Sequence, residues 1–127
     1  MVRWKEGIVV IEENTVIFPK YTFEDFRRTP FYNGQTSNRV VYFDKQITID
    51  GHGYMVEIFF RNGNLYMLSL VCCDKNLSME QELERKEIHD KILEQYQIHQ
   101  NERFCWGRIA SEYDARGGIS SINFYYS

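Results

Sequence analysis

No apolar stretch of this chain approaches the roughly 20 residues that a membrane-spanning helix needs, which excludes a helical membrane protein. Heptads, helical repeats and low-complexity tracts are equally absent. The opening MVRWKEGIVVIEEN holds an apolar segment too short and too interrupted for a secretory signal, so a cytoplasmic protein is expected. There is no excess of positive charge. Fifteen Lys and Arg against eighteen Asp and Glu leave −3, and a nucleic-acid binder needs a basic face for phosphates. Cysteine is scarce and odd in number, with three in all. Cys72 and Cys73 are neighbours on a strand and point to opposite faces, and Cys105 shares no ligand spacing with them. This excludes a disulfide framework and predicts reduced, mostly buried thiols. His89 and His99 lie about three helical turns apart, so one metal ion cannot take both, and His52 stands in a turn. No metal site or cofactor is predicted. No Gly-x-Ser-x-Gly elbow, phosphate-cradling loop or Cys–His spacing occurs, so no catalytic residue is assigned.

What is present is organised around Tyr54 to Cys73, two apolar runs flanking Arg61-Asn62-Gly63-Asn64. Asn-Gly is the strongest short-range hairpin signal, because a type I′ turn needs φ > 0 at both central residues. An unbroken register from that turn pairs Phe60 with Leu65, Ile58 with Met67, Val56 with Ser69 and Tyr54 with Val71. Runs this apolar on both sides belong in the middle of a sheet. Glu57 is the anomaly, a carboxylate in a central strand between Met55 and Phe59. It is a candidate acid whose pKa would rise on burial, or else an exposed residue on an incompletely covered face.

The rest of the chain supplies more hairpins. Ile8 to Ile11 and Thr15 to Phe18 read as a strand pair turning at Glu13-Asn14 and stopping at Pro19. Thr22 caps a short helix with acids at its start and Arg27-Arg28 at its end, halted before Pro30. Tyr32 to Asn38 is polar loop. Arg39 to Phe43 and Gln46 to Ile49 read as a hairpin joined at Asp44-Lys45, and Asp50 to Gly53 turns into the central pair. Ser78 with Gln81 makes a capping box that opens one substantial helix, to about His99. Its face Ile88, Ile92, Tyr96 is expected on the sheet, with Met79 and Leu83 projecting past it. Phe104 to Tyr113 and Ile119 to Tyr126 form a last hairpin, with Gly107 marking a bulge or a close backbone approach. At 127 residues this is a single α+β domain, residues 1–127. An antiparallel, meander-like sheet is expected, with the long helix on one face and the short helix near the N-terminus.

Three segments carry a family resemblance: FPKYTFEDFRRTPFY from Phe18, ELERKEIHDKIL from Glu82 and FCWGRIASEYDARGGISSINFYY from Phe104. They resemble small single-domain bacterial proteins, some of them similar to immunity proteins encoded beside polymorphic or contact-dependent toxins. The shared motifs, Trp106-Gly107, Tyr113-Asp114 and the terminal Tyr, read as scaffold. The resemblance implies a non-enzymatic binder of a protein partner, a toxin domain encoded by a neighbouring gene. An acidic chain suits a basic partner of that kind. Aromatics at 16% exceed what a core of this size needs, and Tyr and Trp anchor interfaces. The expected contact surface is the open side of the sheet with the terminal hairpin loop: Glu112, Tyr113, Asp114, Arg116 and Glu57. The alternative is a ligand carrier or small enzyme with a pocket between helix and sheet and Glu57 or a histidine at its base.

Overall fold

The computed structural model describes residues 1–12, 15–34, 39–43 and 45–127. Two antiparallel sheets and one long helix make up an α+β fold. The small sheet holds β1 (Val2–Arg3), β2 (Ile8–Ile11) and β3 (Thr15–Ile17) in that order. A five-residue helix α1 (Phe23–Arg27) follows, capped by Thr22 and Asp25, each accepting from the other's backbone N–H. The large sheet runs β4 (Val40–Tyr42), β6 (His52–Arg61), β7 (Asn64–Cys72), β10 (Ile119–Tyr126), β9 (Gly107–Asp114), β8 (Glu102–Phe104), and β5 (Ile47–Ile49) also pairs with β6. α2 (Glu82–Gln95) connects β7 to β8.

This order departs from a meander in two places. β4 and β5 do not pair with each other; they lie end to end along one edge of β6, which at ten residues is long enough for both. The expected hairpin turn at Asp44-Lys45 is therefore replaced by a chain that keeps its direction, and Asp44 itself lies outside the described residues, as do Glu13, Asn14 and residues 35–38. At the other edge β10, not β8, sits beside β7. α2 carries the chain across the sheet to its far side, and β9 and β10 then fill back towards the centre.

The central turn has φ of 53° at Asn62 and 79° at Gly63, as the Asn-Gly pair requires. Segment 21–23 holds it: Phe23 N–H donates to the Gly63 carbonyl at 2.9 Å and Leu65 N–H to that of Tyr21 at 2.9 Å. Nothing lies within 4 Å of a Cβ at Gly63, so a side chain there costs backbone strain alone. Gly63→Val is expected to lower stability by about 1–2 kcal/mol. An unchanged urea midpoint would show that the turn relaxes out of the left-handed region.

The predicted register survives only as far as Phe60–Leu65. A bulge follows, and from there Phe59 pairs with Met67, Ile58 with Leu68, Glu57 with Ser69, Val56 with Leu70 and Tyr54 with Cys72. Tyr66 is the extra residue, lying under the Arg61 guanidinium at 4.4 Å. A slip of one exchanges the faces of everything beyond it. The result is a cleaner core: Tyr54, Val56, Ile58, Phe60, Leu65, Leu68, Leu70 and Cys72 are all at most 6% exposed. Ser69 leaves that face and joins Glu57 on the other.

α2 is shorter than Ser78 to His99. Ser78 and Gln81 do cap, with Gln81 Oε1 accepting the Ser78 N–H at 3.1 Å, but Met79–Gln81 form a 3-10 turn before the helix proper. At the far end Gln97 takes φ 60°, and the N–H groups of Gln97 and Ile98 return to the carbonyls of Glu94 and Leu93. The buried face is Glu82, His89, Ile92 and Leu93, whereas Ile88 and Tyr96 are only half-buried. Two polar residues belong on that face because the β7–β10 ladder stops at Leu70–Ile122. Two more pairs would set Cys72 opposite Ser120. Instead the strands part and α2 fills the gap: Ser120 N–H donates to Glu82 Oε2 at 3.0 Å, and Cys72 N–H donates to His89 Nε2 at 3.0 Å. The helix thus supplies acceptors that the missing ladder does not. Met79 and Leu83 stand exposed.

Aromatic packing closes the molecule. Trp4 lies against Tyr96 and Phe124 at 5.3 and 5.5 Å between centroids. Trp106 Nε1–H donates to the Lys5 carbonyl and Tyr126 O–H to that of Gly7, both at 2.9 Å. The core face of the large sheet is therefore covered by α2 and the N-terminal segment, with α1 over its Phe60 end. Among the described residues no helix or strand is packed on the opposite face.

Candidate functional site

The uncovered face presents Glu57 and Phe59 from β6, Met67 and Ser69 from β7, Ser121, Asn123 and Tyr125 from β10, and Glu112 from β9. They line a shallow groove of about 410 Å³, which Asp114 and Ile119 extend towards the terminal hairpin. Its floor is a connected polar chain. Ser69 O–H donates to Asn123 Oδ1, Asn123 Nδ2–H donates to Glu112 Oε1 at 2.8 Å, and Tyr125 O–H donates to the same carboxylate oxygen. Burial and then the Glu112 bond push the Tyr125 phenol up to about 12. The Arg108 guanidinium stacks on the other side of Tyr125, 4.0 Å from its centroid. Glu112 is thereby held in one position.

Glu57 differs. It is half-buried, accepts no hydrogen bond from a described residue, and burial holds its carboxyl above the usual value. Glu57 thus falls between the two alternatives read from the sequence: it lies on the uncovered face, yet it is partly shielded from solvent there. Three carboxylates line this groove, and among the described residues no Lys, Arg or His does.

Of the five residues predicted for the contact surface, Glu57, Glu112, Tyr113 and Asp114 line this groove. Tyr113 borders it although its pairing with Ser120 alternates its side chain towards the face that carries α2. Arg116 is exposed in the terminal loop and does not line the groove. Asp114 is partly committed to that loop, its Oδ1 accepting the Arg116 N–H at 3.0 Å. Asn123, Ser69 and Tyr125 escaped the sequence reading. Asn123 and Tyr125 are legible as the polar alternate of Ile122, Phe124 and Tyr126; Ser69 needed the bulge. The alternative pocket between helix and sheet, with Glu57 at its base, does not form in that way: Glu57 faces away from α2, and His89, Ile92 and Leu93 fill the interface. A concavity of about 790 Å³ lies instead beside the last turn of α2, between Lys86, Gln97, His99 and Lys5.

Comparison with family models, with characterised proteins and with solved structures finds no match to this chain. No helix is long and apolar enough to cross a membrane among the described residues.

A second polar cluster lies where the central hairpin opens. His52 Nδ1 and Asp74 Oδ2 are 2.6 Å apart, and Asp74 Oδ1 accepts the Gly53 N–H at 2.8 Å. Burial works against the Asp74 charge, yet the bonds from His52 and Gly53 hold its carboxyl below the usual value. Cys72 is beside them, its thiol pushed up to about 11 by burial. All three cysteines are free, but Cys105 is exposed and Cys73 half-buried, which corrects the expectation of mostly buried thiols.

Proposed function

We propose that this chain is a non-enzymatic binder of a basic protein surface, docking it on the open face of the large sheet. The observation that supports this is the acid lining of the groove: three carboxylates with no Lys, Arg or His among its described lining residues, one half-buried and unpaired, while the neighbouring Arg108 guanidinium is engaged on the Tyr125 ring. A lone carboxylate in such a place is poorly solvated and lacks a partner, so a Lys or Arg delivered from outside would relieve it. Glu112, fixed by Asn123 and Tyr125, offers a second acceptor that loses little freedom on binding. Phe59, Met67 and the exposed Tyr42 on the same face add apolar contact area around the charges. Within this reading the chain acts as an immunity protein in the cytoplasm, masking a basic toxin domain encoded by an adjoining gene, in line with the family resemblance.

Co-expression with the neighbouring gene's product tests this. Growth rescue together with a complex on a sizing column is the expected result. Glu57→Lys combined with Glu112→Lys should weaken that complex by at least about tenfold, since each now places like charge against the partner. Arg116→Glu in the loop should weaken it less. A complex insensitive to the double reversal would remove the groove from the interface. A neighbour that is not toxic, with a small molecule retained through purification, would favour the ligand carrier.

A further inference from the structure

The opening of the central hairpin holds a metal-ligand set that neither histidine spacing nor cysteine spacing announces. His52 Nδ1, Cys72 Sγ and a carboxylate oxygen of Asp74 all lie within 4.8 Å of one another. They converge because of the bulge. In the unbroken register His52 would face Cys73; with the extra Tyr66, Tyr54 pairs with Cys72 and the next alternate pair sets His52 opposite Asp74. His52, Cys72 and Asp74 then share one face of the sheet.

We propose that this cluster is a binding site for a divalent cation of the zinc type, held by His52 Nδ1, Cys72 Sγ and Asp74 with one coordination position open to solvent. The donor set is one imidazole nitrogen, one thiolate and one carboxylate oxygen, a mixture that suits a borderline, tetrahedral ion better than a hard one. Tetrahedral binding at ~2.0–2.3 Å from each donor sets the donors roughly 3.5 Å apart. His52 and Asp74 need only open from their 2.6 Å contact, and Cys72 needs only a side-chain adjustment. The surrounding bonds hold the frame. Gly53 N–H orients Asp74 at 2.8 Å, Cys73 N–H donates to the Gly53 carbonyl at 2.7 Å, and His89 grips the Cys72 N–H at 3.0 Å. Such outer partners fix ligand geometry. Cys72 is buried while the His52 and Asp74 side chains are 27% and 37% exposed, so an ion enters from the solvent side and keeps a water there. Binding sends the Cys72 thiol proton to solvent and leaves the imidazole proton on Nε2. The bound ion clips the first residues of β6 to the last of β7, where the β7–β10 ladder has already ended.

The test uses the untagged chain with Cys73→Ser and Cys105→Ser, so that Cys72 is its one thiol. After treatment with a chelator it is titrated with Co²⁺, then with Zn²⁺. The expected result is one equivalent of Co²⁺, with thiolate-to-metal charge-transfer absorption and the visible bands of a tetrahedral site, both displaced by Zn²⁺. His52→Gln and Asp74→Asn, both at partly exposed positions, should each weaken binding by about tenfold or more, and Cys72→Ser should abolish the charge-transfer band. Absence of binding would overturn the proposal. So would a Co²⁺ spectrum unchanged in His52→Gln and Asp74→Asn, with the fold of each variant checked by circular dichroism.

Discussion

Gly107→Ala should cost about 3 kcal/mol or more, the largest loss expected from any single methyl group added to this protein. Gly107 has φ 151° and pairs with Tyr126 in the β9–β10 ladder. A Cβ there would stand 1.8 Å from the Tyr125 carbonyl oxygen, 2.9 Å from its carbon and 3.1 Å from Tyr126 Cα. All three are backbone atoms, so no rotamer change relieves the clash. Nor is β10 free to retreat. Tyr126 O–H is bonded to Gly7, Ser127 N–H to the Trp106 carbonyl at 2.9 Å, and Phe124 is fully buried. Gly51→Ala is the control. It too has positive φ, 85°, but nothing lies within 4 Å of its Cβ, so only backbone strain of about 1 kcal/mol applies. Urea denaturation of both variants separates the two contributions. Equal losses would mean that β10 moves aside and that the close approach is not rigid.

Acid is expected to destabilise the metal-free protein through His89. Its ring is fully buried, and Nε2 accepts from Cys72, so the one imidazole proton sits on Nδ1, which finds no partner among the described residues. Burial, reinforced by the Arg85 charge, pushes this histidine down to about 4; of its other charged neighbours Asp90 opposes the shift and Lys86 adds to it. In the unfolded chain the ring takes up a proton near 6.5. Between those values the unfolded state binds more protons, so stability is fully present above about pH 6.5 and drains away as pH falls towards 4. The loss reaches about 3 kcal/mol. Glu57 works in the opposite sense, because its raised pKa favours folding as it protonates, and the measurement therefore uses the Glu57→Gln background. There, His89→Gln keeps an acceptor for Cys72 N–H without a titrating group, and unfolding midpoints from pH 7.5 to 4 should flatten. An unchanged slope in that variant would show that His89 is not the acid-sensitive group.

His89 also marks where reading the chain in one dimension runs out. Its place on the buried stripe of α2 is legible, since Glu82, His89 and Ile92–Leu93 recur at helical spacing. Apolar periodicity nevertheless pointed to Ile88 and Tyr96, because a polar side chain on a buried stripe is recognisable only once its partner is known. That partner is the Cys72 N–H, left over where the β7–β10 ladder ends two residues earlier at Leu70. The open face divides similarly. Glu57 stands out from its neighbours in the chain, and Glu112 and Asp114 were named from the terminal hairpin. That these acids share a groove follows from β10 entering between β7 and β9, a pairing across some fifty residues that no local pattern encodes.

Local stereochemistry is what this chain determines by itself. Asn62-Gly63 makes its turn, Thr22 and Ser78 open their helical segments, Gly107 admits a close backbone, and the alternation of β10 separates core from face. Each of these follows from the φ range or hydrogen-bonding capacity of one or two residues, which travel with the sequence. Register and strand order were decided by tertiary packing. A bulge at Tyr66 costs little locally, yet it converts a core seam containing Ser69 into one lined throughout by Tyr54, Val56, Ile58, Phe60, Leu65, Leu68, Leu70 and Cys72. The gain in buried apolar area is summed over the whole hairpin, so it exists only when both strands and their cover are present. The same one-residue slip carries Ser69 to the acidic groove and sets His52 against Asp74 and Cys72, so the geometry of both sites rests on a choice made by the core.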